Sequence, residues 1–251
     1  MPLYCNQNIF EETISQVQIN AFDMEQNIKR PSQFLHLTET FRAIYELLKG
    51  LWFMKNFQFS NLGKGQPVLV VPGLMSTDLS TGLLRKFLNK LGYQASGWQM
   101  GRNLGRLESL PILIDKVQEM SNLHQQKVIL IGWSMGGIFA REIAKTHPQF
   151  VKQLITIGSP FANITAPNNA KWVYDLLNKG VEIDPVFEAQ LPKPAAVKTL
   201  ALYSKQDGIV PWQACMEIED NTHKNQEVKS SHFGMGANKS VLKAVYDELR
   251  N

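Results

Sequence analysis

The chain has 251 residues, 44% of them hydrophobic and 19% charged, which is typical of a globular protein with one or two domains. Its net charge is +4, but the Lys and Arg residues are scattered, which argues against a nucleic-acid partner. We expect neither a signal peptide nor a membrane span, because no basic start precedes an apolar run and no run reaches about 18 residues. The two cysteines, Cys5 and Cys215, indicate no disulfide framework, so the expected location is cytoplasmic.

Residues 1–66 precede any strand pattern and are predicted to form a mostly helical N-terminal extension. Within it, segment 34–52 is amphipathic at helical spacing, and Ser32 is a suitable N-cap. Two interpretations are open: the apolar face packs on the core of the following domain, or it makes peripheral contact with a membrane surface. The apolar face carries Phe34, Leu37, Phe41, Ile44, Tyr45, Leu48 and Trp52, and the opposite face carries Glu39, Arg42, Glu46 and Lys49.

From Pro67 onward, short apolar runs alternate with glycine-containing turns and helical patterns. The four most apolar runs are continuous, as in strands that are covered on both faces. Strands that alternate with helices predict βαβ units, and therefore a parallel sheet with helices on both sides. Strands are predicted at 67–71, 92–97, 127–132, 152–158, 197–203 and 225–230. Helices are predicted near 78–91, 106–121, 135–147, 169–179 and 238–250.

One connection, residues 159–196, is longer than a simple link between a strand and its neighbour, and connections of this length usually serve a function. Its apolar side chains either roof an apolar pocket or pack into a small core of their own. These side chains are Trp172, Tyr174, Leu176 and Leu177.

The stretch GWSMGG places Ser134 between a predicted strand and a predicted helix. Gly132 and Gly136 complete the pattern G-x-S-x-G, in which small residues let the strand and the helix pass close together at a strained serine. The hydroxyl would then stand above the sheet, beside the free N–H groups of the helix start. The pattern alone also fits an ordinary turn, so its interpretation depends on partners elsewhere in the chain.

Two later loops supply such partners. Asp207 and His232 each follow a predicted strand, and the carboxyl ends of parallel strands meet at one edge of the sheet. Ser134, Asp207 and His232 are therefore predicted to lie together. His232 would accept the serine proton, and Asp207 would hold the imidazole in the required tautomer. Taken singly, Asp207 beside Gly208 is also an ordinary turn pair, and His232 is an ordinary loop histidine.

Acyl transfer also needs donors for a developing oxyanion. Gly73 permits a sharp turn after the first strand, so that the N–H of Leu74 can point into the site, and the N–H of Met135 would be the second donor. The loop 97–109 is expected nearby. Its Arg102 either holds an anionic group of a substrate or, with the adjacent asparagine, braces the loop.

The motifs VLVVPGL, GWSMGG, SKQDGIVPW and SHFGMGAN occur in the order typical of the α/β-hydrolase superfamily, and the chain resembles its lipase and esterase branch over residues 67–251. The resemblance implies an α/β fold with a mostly parallel sheet of about six strands flanked by helices, with 159–196 as a small lid. The catalytic residues it implies are Ser134, Asp207 and His232, with Leu74 and Met135 as the oxyanion hole.

The chain departs from the family at two points. Pro72 stands before the first-strand glycine, where many members have histidine, and the two leading antiparallel strands of many members are not evident before Pro67.

Candidate substrate contacts are Trp133, Trp172, Leu176 and Arg102.

The resemblance predicts a serine hydrolase that cleaves a carboxylic ester of a small molecule or lipid, with an apolar acyl group, through an acyl-enzyme. The same residues would serve a thioesterase, an amidase or an acyltransferase, which differ in pocket shape and in the access of water. A ligand-binding protein without catalysis is the alternative from another class. No His/Cys cluster has ligand spacing and no phosphate loop is present, so we expect neither a metal nor another cofactor.

Overall fold

The computed structural model describes residues 28–178 and 184–250, and its centre is a six-stranded sheet. Its strands are β1 (Pro67–Val71), β2 (Gln94–Gly97), β3 (Val128–Trp133), β4 (Val151–Ile157), β5 (Lys198–Tyr203) and β6 (His223–Glu227). The strand order is β2-β1-β3-β4-β5-β6, and every neighbouring pair is parallel. The predicted parallel sheet of about six strands is confirmed.

Helices cover both faces of this sheet. They are α1 (Gln33–Asn56), α2 (Gly82–Lys90), α3 (Ser109–His124), α4 (Met135–Thr146), α5 (Lys171–Leu177), α6 (Pro185–Gln190) and α7 (Lys239–Arg250). Apolar side chains of α2 and α7 pack on one face of the central strands, and those of α3 and α4 pack on the other. Every residue of β1 and β3 is consequently buried, which explains why their sequences are continuously apolar.

Several elements are shifted from their predicted bounds by a few residues, and two of the differences have a clear physical reason. Strand β6 begins at His223, two residues earlier than predicted, because this edge strand is largely exposed and carries no apolar run to mark its register. In the connection 159–196, the predicted helix is shorter, and a second helix, α6, follows it. The carboxylate of Asp184 caps α6 by accepting the N–H of Val186 at 2.8 Å.

Helix α1 begins as predicted, because Oγ of Ser32 accepts a hydrogen bond from the N–H of Leu35. Its orientation is the opposite of a core-packed amphipathic helix. Phe34 is 74% exposed and Phe41 is 76% exposed, whereas Glu39 is 1% exposed. The interpretation that the apolar stripe packs on the core is therefore wrong. Among the described residues, no helix is long and apolar enough to cross a membrane.

Candidate active site

Ser134 occupies the strained corner between β3 and α4. Its backbone angles are φ 53° and ψ −124°, which L-residues rarely adopt. The flanking glycines are required by close backbone approach: a Cβ atom on Gly132 would lie 2.4 Å from the carbonyl oxygen of Gly136, and one on Gly136 would lie 2.3 Å from the carbonyl oxygen of Val71. The corner is therefore built to hold the serine above the sheet.

The structure brings the three side chains predicted at strand ends into one hydrogen-bonded chain. The hydroxyl of Ser134 lies 3.0 Å from Nε2 of His232, and Nδ1 of His232 lies 2.6 Å from Oδ2 of Asp207. Asp207 is fixed in turn, because its Oδ1 accepts the backbone N–H groups of Ile209 and Val210 at 2.7 and 2.8 Å. One carboxylate oxygen is thus anchored to the backbone, and the other faces the imidazole.

The environment of His232 changes its pKa. His232 is 4% exposed, and this burial disfavours the charged imidazolium. The negative charge of Asp207, its hydrogen bond to Nδ1 and the charge of Glu39 act in the other direction, and together they raise the pKa of His232 above its usual 6.5. The group beside Ser134 is thus a moderately basic imidazole supported by two carboxylates.

The predicted oxyanion donors come from two places: Leu74 lies in the loop after β1, and Met135 is the first residue of α4. Leu74 and Met135 line the same cavity as Ser134, and no acceptor among the described residues takes the N–H of either one. Asn103 fixes this loop: its Nδ2 donates to the carbonyl of Pro72 at 2.8 Å, and its backbone carbonyl accepts the N–H of Met75 at 2.7 Å. Asn103 is fully buried.

A cavity of about 400 Å³ opens beside Ser134. Segment 159–196 contributes most of its described wall. Apolar groups from both parts of the chain line it, namely Leu74, Met135, Ile138, Pro160, Ile164, Ala170, Tyr174 and Val210. Polar groups add Thr165, Asn168, Lys171, Asp175 and Glu188.

The candidate substrate contacts named from the sequence lie elsewhere than this wall. Trp133 is 5% exposed, and its ring centroid is 5.7 Å from that of His232, so the indole supports the imidazole from the core. Trp172 and Leu176 are 66% and 55% exposed and lie outside the cavity, and Arg102 is exposed in its loop. The neighbouring Asn103, and not Arg102, braces that loop.

Sequence reasoning missed several wall residues. Ile138 lies one helical turn after Ser134, so helical periodicity alone would have found it. Ile164 and Val210 come from loops, and no local pattern marks their position.

Among the described residues, no group of three or more His, Cys, Asp or Glu side chains is arranged to hold a metal ion.

An all-parallel sheet with a serine at a strained strand-to-helix corner is the architecture of the α/β-hydrolase superfamily. Within this superfamily, the model of the PGAP1-like alpha/beta domain family matches residues 91–233, more than half of the chain, and the chain belongs to that family.

Solved structures of lipases share the fold. The chain is similar to Aspergillus fumigatus lipase B, with a TM-score of 0.58, 16% identity, and coverage of 77% of this chain and 55% of that one. It is also similar to the mature Bacillus licheniformis lipase BlEst2, with a TM-score of 0.56, 18% identity, and coverage of 74% and 92%. At these identities the likeness concerns the fold.

A curated relative matches over a short segment. The pimeloyl-[acyl-carrier protein] methyl ester esterase of Aromatoleum aromaticum is 40% identical over 50 residues, which are 19% of this chain and 20% of that protein. The match thus spans about a fifth of the relative's length.

Proposed function

We propose that the protein is a serine hydrolase that cleaves a carboxylic ester through an acyl-enzyme. The observation that carries this proposal is the hydrogen-bonded chain from Ser134 through His232 to Asp207, with contacts of 3.0 and 2.6 Å. A serine hydroxyl is a weak nucleophile unless a base removes its proton, and these distances are within hydrogen-bond reach.

In the proposed reaction, Oγ of Ser134 attacks the ester carbonyl while Nε2 of His232 takes its proton. The oxyanion that forms would be stabilised by the N–H groups of Leu74 and Met135. His232 then returns the proton to the departing alkoxide, which leaves as an alcohol. A water molecule, deprotonated by the same imidazole, attacks the acyl-enzyme and releases the acid. Asp207 keeps the proton on Nδ1 throughout.

The cavity favours an acyl group that is largely apolar. Its volume of about 400 Å³ and its many apolar wall residues suit a hydrocarbon chain, and its polar wall residues suit the remainder of a polar ester.

We propose the division of the chain that the sequence indicates: an N-terminal extension at 1–66, and a hydrolase domain at 67–251. Residues 159–196 would serve as a lid, which agrees with their large share of the wall.

The experiment is a series of p-nitrophenyl esters and acyl-CoA thioesters of graded chain length, with Ser134→Ala as the control. Three results together support the proposal. Oxygen esters are turned over faster than thioesters, turnover is highest with medium or long acyl chains, and Ser134→Ala loses turnover. Preference for thioesters would assign a thioesterase instead. If acyl transfer to an added alcohol is faster than hydrolysis, the protein is an acyltransferase. If it cleaves a labelled amide substrate in preference to the esters, it is an amidase.

Absence of any turnover, together with saturable binding of the same compounds, would assign a ligand-binding protein on a hydrolase fold. The two classes are separable without knowledge of the natural substrate, because only a catalytic site accumulates a covalent acyl-serine that mass spectrometry detects.

A further inference from the structure

Helix α1 turns a buried carboxylate toward the two loops of the proposed triad. Oε1 of Glu39 accepts the N–H of Gly208 at 2.8 Å, and Oε2 accepts the N–H of Phe233 at 3.0 Å. Gly208 follows Asp207 directly, and Phe233 follows His232 directly. One side chain, 1% exposed, thus bridges the acid loop and the histidine loop from a helix more than 160 residues away in sequence.

Arg42 completes this contact. Its Nη2 donates to Oε1 of Glu39 at 2.8 Å, and its Nη1 donates to the carbonyl of Gln206 at 2.7 Å. The guanidinium therefore compensates the buried charge and holds the residue that precedes Asp207. Arg42 and Glu39 thus hold the residues immediately before and after Asp207.

Glu46, two turns further along α1, holds the other side of the histidine loop. It accepts the N–H of Ser231 at 2.8 Å and the hydroxyls of Ser230 and Ser231 at 3.0 and 2.9 Å. His232 is thereby fixed through the residue before it and the residue after it. Each of these hydrogen bonds contributes only modestly to the net stability of the protein. Removal of the acceptor is costly, however, because it leaves a buried donor unsatisfied.

We propose that Glu39 is a positioning residue of the proposed triad, which ties the Asp207 loop to the His232 loop and so fixes the distance between acid and base. The proposal rests on the serine-hydrolase function proposed above. Because proton transfer depends on sub-ångström placement, a loss of this tie should lower turnover rather than substrate binding. Glu39 also contributes negative charge close to the imidazole.

Glu39→Gln tests this role, because it preserves size while it replaces one acceptor with an N–H₂ group that faces a backbone donor. With p-nitrophenyl butyrate, kcat should fall about tenfold or more, and KM should stay within about twofold, since Glu39 is not part of the cavity wall. The acid limb of kcat/KM should move to lower pH, because a negative charge near His232 is removed. Glu119→Gln, at an exposed position on α3, is the matched control and should change neither quantity.

Arg42→Gln keeps the test decisive if Glu39→Gln is poorly folded. Removal of a positive charge beside Glu39 should move the acid limb to higher pH, opposite to Glu39→Gln, whereas mere loss of stability moves neither limb. Unchanged kcat and pH profile in Glu39→Gln, in an active wild-type protein, would overturn the positioning role alone. A wild-type protein that neither turns over esters nor accumulates acyl-serine would instead overturn the hydrolase function.

The outer face of α1 carries a second and independent inference. Its exposed apolar side chains run along the whole helix: Phe34, Leu37, Phe41, Ile44, Tyr45, Leu47, Leu48, Leu51 and Trp52. Both acidic residues of α1 turn inward and are bonded. The exposed charges on α1 and just before it are all positive, namely Lys29, Arg30, Lys49 and Lys55.

An apolar stripe on a helix whose own exposed charges are all positive is complementary to a membrane surface with anionic headgroups. The apolar side chains insert into such a surface while the cations remain among the phosphates. We infer that this face of α1 docks on an anionic lipid surface. The inner face of the same helix contacts the loops of Asp207 and His232, so docking would place the candidate site beside the lipid.

Sedimentation with vesicles tests the docking. The full chain should bind phosphatidylcholine vesicles that contain about 30% phosphatidylserine more tightly than pure phosphatidylcholine vesicles, and less tightly at high salt. Leu37→Gln/Phe41→Gln should weaken binding at least about tenfold, because both side chains are more than 70% exposed and their change leaves the core intact. Leu123→Gln, 77% exposed on α3, is the control and should bind normally.

Failure of the wild-type chain to bind vesicles, or equal binding by the double variant, would overturn the lipid assignment. So would a dimer, seen by light scattering, that the double variant abolishes, because a second copy of the chain would then cover this face.

Discussion

The Nδ1 atom of His232 lies 2.6 Å from Oδ2 of Asp207, and both side chains are almost completely buried. Although burial disfavours the imidazolium, the two carboxylates around it raise the pKa of His232 above 6.5. The base must be neutral to accept the serine proton, so kcat/KM should rise with pH through this pKa. A profile over about pH 5 to 9 should reach half its maximum above pH 6.5. A midpoint at or below 6.5 would contradict this electrostatic balance.

Asp207→Asn should leave the fold intact and depress kcat by roughly 10³- to 10⁴-fold. The amide oxygen can still accept from Ile209 and Val210, so the amide N–H₂ must face Nδ1 of His232. Nδ1 then becomes an acceptor, and the proton moves to Nε2, where it prevents acceptance of the Ser134 proton. Turnover and circular dichroism of the variant check both parts, and near-normal turnover would assign the acid role to another group.

A fluorophosphonate should label Ser134, because the adjacent base and oxyanion donors activate this hydroxyl. Ser134→Ala should lose about 10⁴- to 10⁶-fold in kcat. Ser159 is a matched control: it is buried close to the same corner, and its hydroxyl has no hydrogen-bond partner among the described residues. Ser159→Ala should therefore label normally. Mass spectrometry that places the label elsewhere would refute the assignment of the nucleophile.

The sheet was predictable where burial leaves a mark on the sequence. Strands β1 and β3 are covered on both faces and have continuous apolar sequences. The exposed edge strand β6 has no such run, and it begins two residues before its predicted start. Ser134, Asp207 and His232 were predicted to meet because each follows a strand of a parallel sheet, and the sheet topology brings those ends together.

The orientation of α1 and the cavity wall were beyond such reasoning. Periodicity identifies two faces of a helix but not which one turns inward, and Glu39 turns inward because backbone N–H groups of two distant loops meet its carboxylate. Those donors become neighbours only after the sheet has formed. The wall likewise depends on how the connection 159–196 folds, so the conspicuous Trp172 lies outside it while Ile164 lines it.

Gly136→Ala should both destabilise the protein and impair the site. The added methyl would lie 2.3 Å from the carbonyl oxygen of Val71 and 2.5 Å from that of Pro72. These are backbone atoms at the end of β1, so relief requires movement of the strand and of the loop that carries Leu74. We expect a loss of about 1–3 kcal/mol in the free energy of unfolding in urea, and a larger loss of kcat than of substrate binding.

Gly82→Ala, at the start of α2, is the control for this substitution. Its φ of −60° suits alanine, and the nearest atom to an added Cβ is Nη2 of Arg85 at 4.0 Å. It should be neutral or stabilise the protein by up to about 1 kcal/mol, because alanine restricts the unfolded chain. Equal stability and kcat in Gly136→Ala and Gly82→Ala would show that the close approach of α4 to β1 is not required at the serine corner.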